Sequence, residues 1–193
     1  MDELTQRLEY LIERLKTHYD GIGHSSGRPY VYLVYPPDRE RAMRRLADEH
    51  LRSNDELCYH HIDLLPLTIK TLAGQEERRE QLLGTNGQAS SAAQSILRLW
   101  ARRVSQTVEK QLSKPKPGRP VVVLRGLASL HPLGNPTSLM EEIAEREPRD
   151  PATGRIVPFV LLVPGLRPPN TSRTYLFLGR EDLRLEFYRG EEV

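Results

Sequence analysis

Tyr30-Val31-Tyr32-Leu33-Val34-Tyr35, followed at once by Pro36-Pro37-Asp38, is the segment from which the architecture can be read. Its apolar and aromatic residues run on without alternation, over a length too short for a helix, as expected of a strand buried on both faces. The two prolines end that strand and open a helix, with Asp38 as the expected N-cap ahead of Ala42, Met43, Leu46 and Leu51. Upstream, Leu4, Leu8, Leu11 and Leu15 recur at helical spacing, so residues 2–19 predict an amphipathic helix, closed by a loop containing Gly21, Gly23 and Gly27.

Similar punctuation recurs downstream. Strands are expected over residues 57–64, 120–124 and 157–163, the last closed by Pro164-Gly165. Residues 66–84 read as short helices broken at Gly74 and Gly84, Thr85-Asn86-Gly87-Gln88 as a turn, and residues 89–112 as the longest helix. Ile96, Leu97, Trp100, Val104, Val108 and Leu112 follow one side of that helix, and Lys114-Pro115-Lys116-Pro117-Gly118 stops it. A further helix is expected over residues 136–147, and residues 174–178 and 183–188 alternate around Gly179-Arg180-Glu181-Asp182 as a hairpin does. Unbroken apolar strands alternating with helices predict an α/β fold, a mostly parallel central sheet with helices on both faces, degenerate P-loop or Rossmann-like, closed by a C-terminal antiparallel hairpin. One domain over residues 1–193 is expected, with helix 2–19 packed on it.

Composition narrows the function classes. A chain of 193 residues buries roughly 70% of its unfolded surface and needs no staples. The lone Cys58 forms no internal disulfide and builds no cysteine-based zinc site. No apolar run approaches the ~20 residues of a bilayer span. Met1-Asp2-Glu3 lacks the basic-then-apolar order of a secretion signal, so a soluble, cytoplasmic protein is expected.

An α/β sheet makes nucleotide binding the first enzyme hypothesis. A phosphate loop needs glycines after a strand and before a helix, with a Lys-Ser/Thr pair. Gly21, Gly23 and Gly27 instead precede the first strand, Arg28-Pro29 stands in place of Lys-Ser/Thr, and the third strand runs from Leu124 into Arg125 rather than into an acidic residue. In His60-His61-Ile62-Asp63, His61 and Asp63 share one face of a strand and His60 points to the other, so only two metal ligands converge. Cys58 shares the His60 face, as in a Cys–His nucleophile pair, but the sequence names no orienting group or oxyanion donor, and a buried structural cysteine is favoured. No catalytic residue, cofactor or metal is assigned.

The near balance of 28 basic and 26 acidic residues hides a local excess. Arg98, Arg102, Arg103, Lys110, Lys114, Lys116 and Arg119 face only Glu109 within residues 89–119, leaving +6 there and about −4 on the rest. Such a segment fits a solubilising face, an acidic protein surface, or a nucleic acid backbone. Aromatic residues do not interleave with it, which disfavours a base-stacking platform.

The second half of the chain carries a family resemblance. Val122-Val123-Leu124-Arg125-Gly126-Leu127-Ala128-Ser129-Leu130-His131-Pro132-Leu133 and Ser138-Leu139-Met140-Glu141-Glu142-Ile143 resemble the strand, glycine, small loop, Pro-Leu and helix segment of the BrxB family of BREX phage-defence systems. Residues 157–165, Leu176-Phe177-Leu178-Gly179 and Phe187-Tyr188-Arg189 are similar to later family motifs, and Val34-Tyr35-Pro36-Pro37-Asp38 to an earlier one, in consistent order. The resemblance implies a non-catalytic component that acts by binding, with a PglZ-like protein as partner beside a methyltransferase and an ATPase. On that reading Arg125, Gly126, His131, Pro132, Pro164 and Gly165 form a rigid strand-end rim. The rival expectations are a DNA-binding accessory protein using residues 98–119 and a nucleotide- or metal-dependent enzyme.

Overall fold

The computed structural model describes residues 2–23, 27–84, 91–114 and 116–193. The elements are α1 (Glu3–Thr17), β1 (Tyr30–Tyr35), α2 (Glu40–His50), β2 (Leu57–Asp63), α3 (Leu64–Leu72), α4 (Glu76–Gly84) and α5 (Ser91–Leu112). They continue as β3 (Arg119–Arg125), α6 (Pro136–Ala144), β4 (Phe159–Leu166), β5 (Thr174–Phe177), β6 (Arg184–Glu186) and β7 (Gly190–Glu192). The central strands lie parallel in the order β2-β3-β4-β1-β7, with β5 and β6 attached antiparallel to the far end of β4. This is an α/β fold with a mostly parallel sheet, and among the described residues no helix is long and apolar enough to cross a membrane.

The lack of alternation in β1 has a direct cause. Tyr30, Tyr32 and Val34 enter one core, against α5, α6 and Phe159, while Val31, Leu33 and Tyr35 enter the other, with Leu4, Leu8, Leu11 and Leu15 of α1 and Met43 and Ala47 of α2. Successive strand residues point to opposite faces, so a sheet covered on both sides needs apolar residues at both parities. β4 does the same between β3 and β1, its residues from Phe159 to Gly165 all buried.

Several boundaries differ from expectation for local reasons. Asp38 makes no capping hydrogen bond; it lies inside a short 3₁₀ turn, Pro37–Arg39, that precedes α2. Pro164-Gly165 does not close β4, because Tyr35 pairs opposite Pro164 and β5 supplies a partner beyond it, with Phe177 opposite Gly165. Strand β2 stops at Asp63, one residue before the expected end, because its carboxylate accepts from the Leu65 N–H and starts α3 at Leu64, two residues before the expected helix. The expected hairpin is present as β5 and β6. Strand β7 was not expected, since Gly190-Glu191-Glu192 has no apolar signal. It is fixed by parallel pairing with β1 and by Arg14 on Glu191 at 2.7 Å, and a Cβ on Gly190 would lie 2.4 Å from the Tyr32 ring. The expected turn at residues 85–88 lies outside the described residues.

Leu161 sits fully buried on β4 between Tyr32 and Leu124. Leu161→Ala is expected to lower unfolding free energy by about 2–5 kcal/mol, read as a lower urea midpoint at unchanged slope.

Candidate functional site

Ligands of α/β sheets bind outside the carboxyl ends of the strands, and here those ends of β1, β2 and β3 carry a continuous polar lattice. Tyr35 donates its hydroxyl hydrogen to Glu40, and Glu40 accepts from Arg44 Nε at 2.7 Å, an i,i+4 pair on α2. Arg44 reaches across to Asp63 at the end of β2, Nη1 to Oδ2 at 2.6 Å. Arg125, the last residue of β3, places Nε 3.5 Å from the same oxygen and Nη1 2.5 Å from Asp48. Gly126 follows in the left-handed region at φ 70°, and a Cβ there would lie 2.5 Å from Asp63 Oδ1 and 3.0 Å from Arg44 Nη2. The lattice can close around Asp63 only because residue 126 has no side chain. Burial opposes ionisation of Asp63, but hydrogen bonds from Arg44 and the Leu65 N–H, with the charges of Arg44 and Arg125, outweigh it and hold the carboxyl below its ordinary range.

The expected rim does not form one surface. Arg125 and Gly126 belong to the Asp63 lattice. His131 and Pro132 lie past the 3₁₀ turn after β3, where burial, with the charge of Arg180, lowers the His131 pKa against the opposing effect of Asp182. Pro164 and Gly165 are buried within the sheet; Pro164 accepts from the Leu178 N–H, and a Cβ on Gly165 would lie 2.7 Å from Leu176 O.

Beneath α5, the Cys58 and His60 side chains meet on one face of β2, Sγ 3.5 Å from Nε2, while His60 Nδ1 lies 3.2 Å from Gln111 Oε1. A glutamine carbonyl oxygen only accepts, so Nδ1 carries the hydrogen and a neutral ring accepts the thiol hydrogen at Nε2. Burial lowers the His60 pKa, reinforced by the charges of Lys116 and His61 against the opposing hydrogen bond with Gln111, and so favours the neutral ring. The result is a hydrogen-bonded chain from edge strand to helix. On the opposite face His61 donates to Leu51 O at 2.8 Å, and among the described residues no group of three or more potential metal ligands converges.

The basic segment divides into separate surfaces. Arg98 and Arg102 lie on a stripe of α5 that faces α6, in a cleft of about 310 Å³ shared with Glu142, Glu145 and Arg146, where Arg98 pairs with Glu142 at 3.5 Å. Arg119 is committed at the amino end of β3: it donates to Lys16 O at 2.9 Å and stacks on Tyr19, 4.6 Å from the ring centroid. Arg103 and Lys110 lie on a different stripe and line a groove of about 730 Å³ between α5, α3 and edge strand β2, which Lys70 joins from α3. The groove continues through Thr107, Lys110 and Gln111 to Lys114 and Lys116, near which Asp150 lies. Among the described residues Lys70, Arg103, Lys110, Lys114 and Lys116 make no ion pair.

Sequence reasoning did not find Glu40, Arg44 and Asp48 as partners of the strand end, nor Lys70 and Gln111. The i,i+4 spacing of Glu40 and Arg44 was the available signal; the others depend on which helix covers which strand. Comparison of the chain with protein-family models, with curated proteins and with solved structures finds no match.

Asp63→Asn keeps the cap on Leu65 and removes the charge that holds Arg44 and Arg125. It is expected to lower stability by about 1–2 kcal/mol at neutral pH. A carboxyl depressed by folding contributes fully above its unfolded value of about 3.9 and loses that contribution as pH falls through its lower folded value. The difference between wild type and variant in thermal unfolding should therefore hold down to that unfolded value and shrink below it. Gly126→Ala is expected to destabilise by about 1–3 kcal/mol, through both the positive φ and the closed space beside Asp63.

Proposed function

We propose that the chain is a non-catalytic protein-interaction component of a BREX-type bacteriophage defence system, acting in the cytoplasm by binding a PglZ-like protein. The setting rests on the ordered motifs that resemble the BrxB family, from Val34-Tyr35-Pro36-Pro37-Asp38 to Phe187-Tyr188-Arg189. The non-catalytic reading rests on the Tyr35–Glu40–Arg44–Asp63–Arg125 lattice, which fills the strand ends where nucleotide enzymes of related layout hold phosphate and metal. Phosphate loops work through free backbone N–H groups, and the turn after β1 begins with Pro36 and Pro37, which have none. Arg125 sits where an acidic residue would hold a magnesium-bound water.

Co-expression with the PglZ-like protein of the same locus should yield a defined complex on size exclusion; separate elution of the two at micromolar concentration contradicts the reading. Thermal unfolding with ATP, GTP, Mg²⁺ or Zn²⁺ should be unchanged. A ligand at 100 times its Kd stabilises by about 2.7 kcal/mol, so a rise of several degrees would favour the nucleotide- or metal-dependent enzyme instead.

A further inference from the structure

Two features meet on one side of the molecule that the closed strand ends leave unused. The first is the groove between α3, edge strand β2 and α5, whose cations Lys70, Arg103 and Lys110 lack carboxylate partners among the described residues. Arg7, Arg14, Arg44, Arg125 and Arg155 by contrast have carboxylates at ion-pair distance; Arg41 and Arg45 of α2 also lack one among the described residues, but they line none of the grooves described above. Glu109, the sole acidic residue of α5, falls on the Arg98–Arg102 stripe by its spacing and not on the groove stripe of Arg103 and Lys110. Asp63 lines the groove mouth, but its charge is spent on Arg44 and Arg125.

The second feature is apolar. Helix α3 buries Leu64, Thr68 and Leu72 and leaves Leu65 50% and Ile69 64% exposed, as few other large hydrophobic side chains are among the described residues. These i,i+4 neighbours form a crest that does not itself line the groove; Ile69 is the i+3 neighbour of Pro66, which with Leu67 forms the apolar part of the groove wall.

We propose that this groove is a docking surface for an acidic segment of a partner protein, one whose carboxylates meet Arg103, Lys110 and Lys70 while apolar side chains cover Pro66, Leu67 and Ile69. Charge complementarity selects an anionic occupant. The apolar wall selects a peptide over a nucleic acid backbone, and Tyr59, which lies beside Lys110 where the groove continues, is buried and offers no ring on which a base could stack. The proposal rests on the reading of the chain as a binding module and assigns the face through which it binds.

The test uses the full chain and fluorescence anisotropy with two probes: a fluorescein-labelled peptide of Glu-Glu-Leu repeats and an oligothymidylate of equal charge. Arg103→Glu with Lys110→Glu reverses the groove, Ile69→Ser removes the crest, and Arg102→Glu with Arg146→Glu makes the same net charge change on the α6 side. All these residues are exposed, and unchanged thermal unfolding establishes that each variant is folded. The groove variant should weaken peptide binding by about tenfold or more and the crest variant by several-fold, with the control within about twofold. The Arg103→Glu, Lys110→Glu variant should bind a Lys-Lys-Leu peptide more tightly than wild type does. The proposal is overturned if wild type does not bind the peptide, if control and groove variants weaken alike, or if oligothymidylate binds more tightly than the peptide and ignores Ile69→Ser. Each of those outcomes leaves complex formation with the PglZ-like protein to be read separately, so loss of the groove and loss of the functional reading are distinguishable.

Discussion

β1 and β4 are buried on both faces, so the backbone polar groups they carry must find partners within the protein rather than in water. Their full-length parallel register, Tyr30 opposite Phe159 through Tyr35 opposite Pro164, meets that demand on one edge of β1, and on the other β7 pairs with Tyr30 to Tyr32 while Arg7 of α1 donates to Val34 O at 2.6 Å. One parity of side chains requires α1 and α2 as cover; the other requires α5 and α6. Parallel neighbours also force crossover connections, which place helices where they can shield the sheet. Even β7, with no apolar residue of its own, is held by this frame, through pairing with β1 and through Arg7 and Arg14 of α1 on Glu192 and Glu191.

The same frame decides where function is free to sit. In an open α/β sheet the carboxyl strand ends are the usual ligand site, yet here Asp63 draws Arg44 and Arg125 together and Gly126 leaves room for them to close. Partly buried charges stay in such a place only when paired. The lattice thus occupies the ends of β1, β2 and β3, while the groove along α5 and the edge of β2 gathers Lys70, Arg103 and Lys110 without carboxylate partners among the described residues. That helix carries two unlike basic stripes, one met by Glu142 and one without a carboxylate partner among the described residues.

Much of the fold was legible in the sequence because two-faced burial writes itself as continuous apolar runs, and because leucine spacing marks α1. Boundaries were less legible where tertiary partners extend or shorten an element, as β5 does for Pro164-Gly165 and as the Asp63 cap does for β2. The Cys58–His60 pairing was readable from strand parity, whereas Gln111 was not, since only the docking of α5 on β2 brings it to the ring. The basic segment was visible as a sum but not as surfaces: linear counting cannot separate Arg98 and Arg102 from Arg103 and Lys110, and it cannot foresee that Arg119 is engaged with Tyr19 and Lys16. The rim expected at Pro164 and Gly165 failed for the same reason, since turn-type residues proved to be interior strand.

The central proposal is that this sheet works by presenting a surface rather than by turning over a substrate at its strand ends. Hydrogen–deuterium exchange of the full chain, alone, with the PglZ-like protein proposed as its partner, and with ATP and Mg²⁺, tests it most directly. The account predicts new protection over residues 65–70 and 103–114 with the partner and none with nucleotide. Protection of residues 35–40 and 125–126 by ATP and Mg²⁺, with residues 65–70 and 103–114 unchanged by the partner, would contradict it.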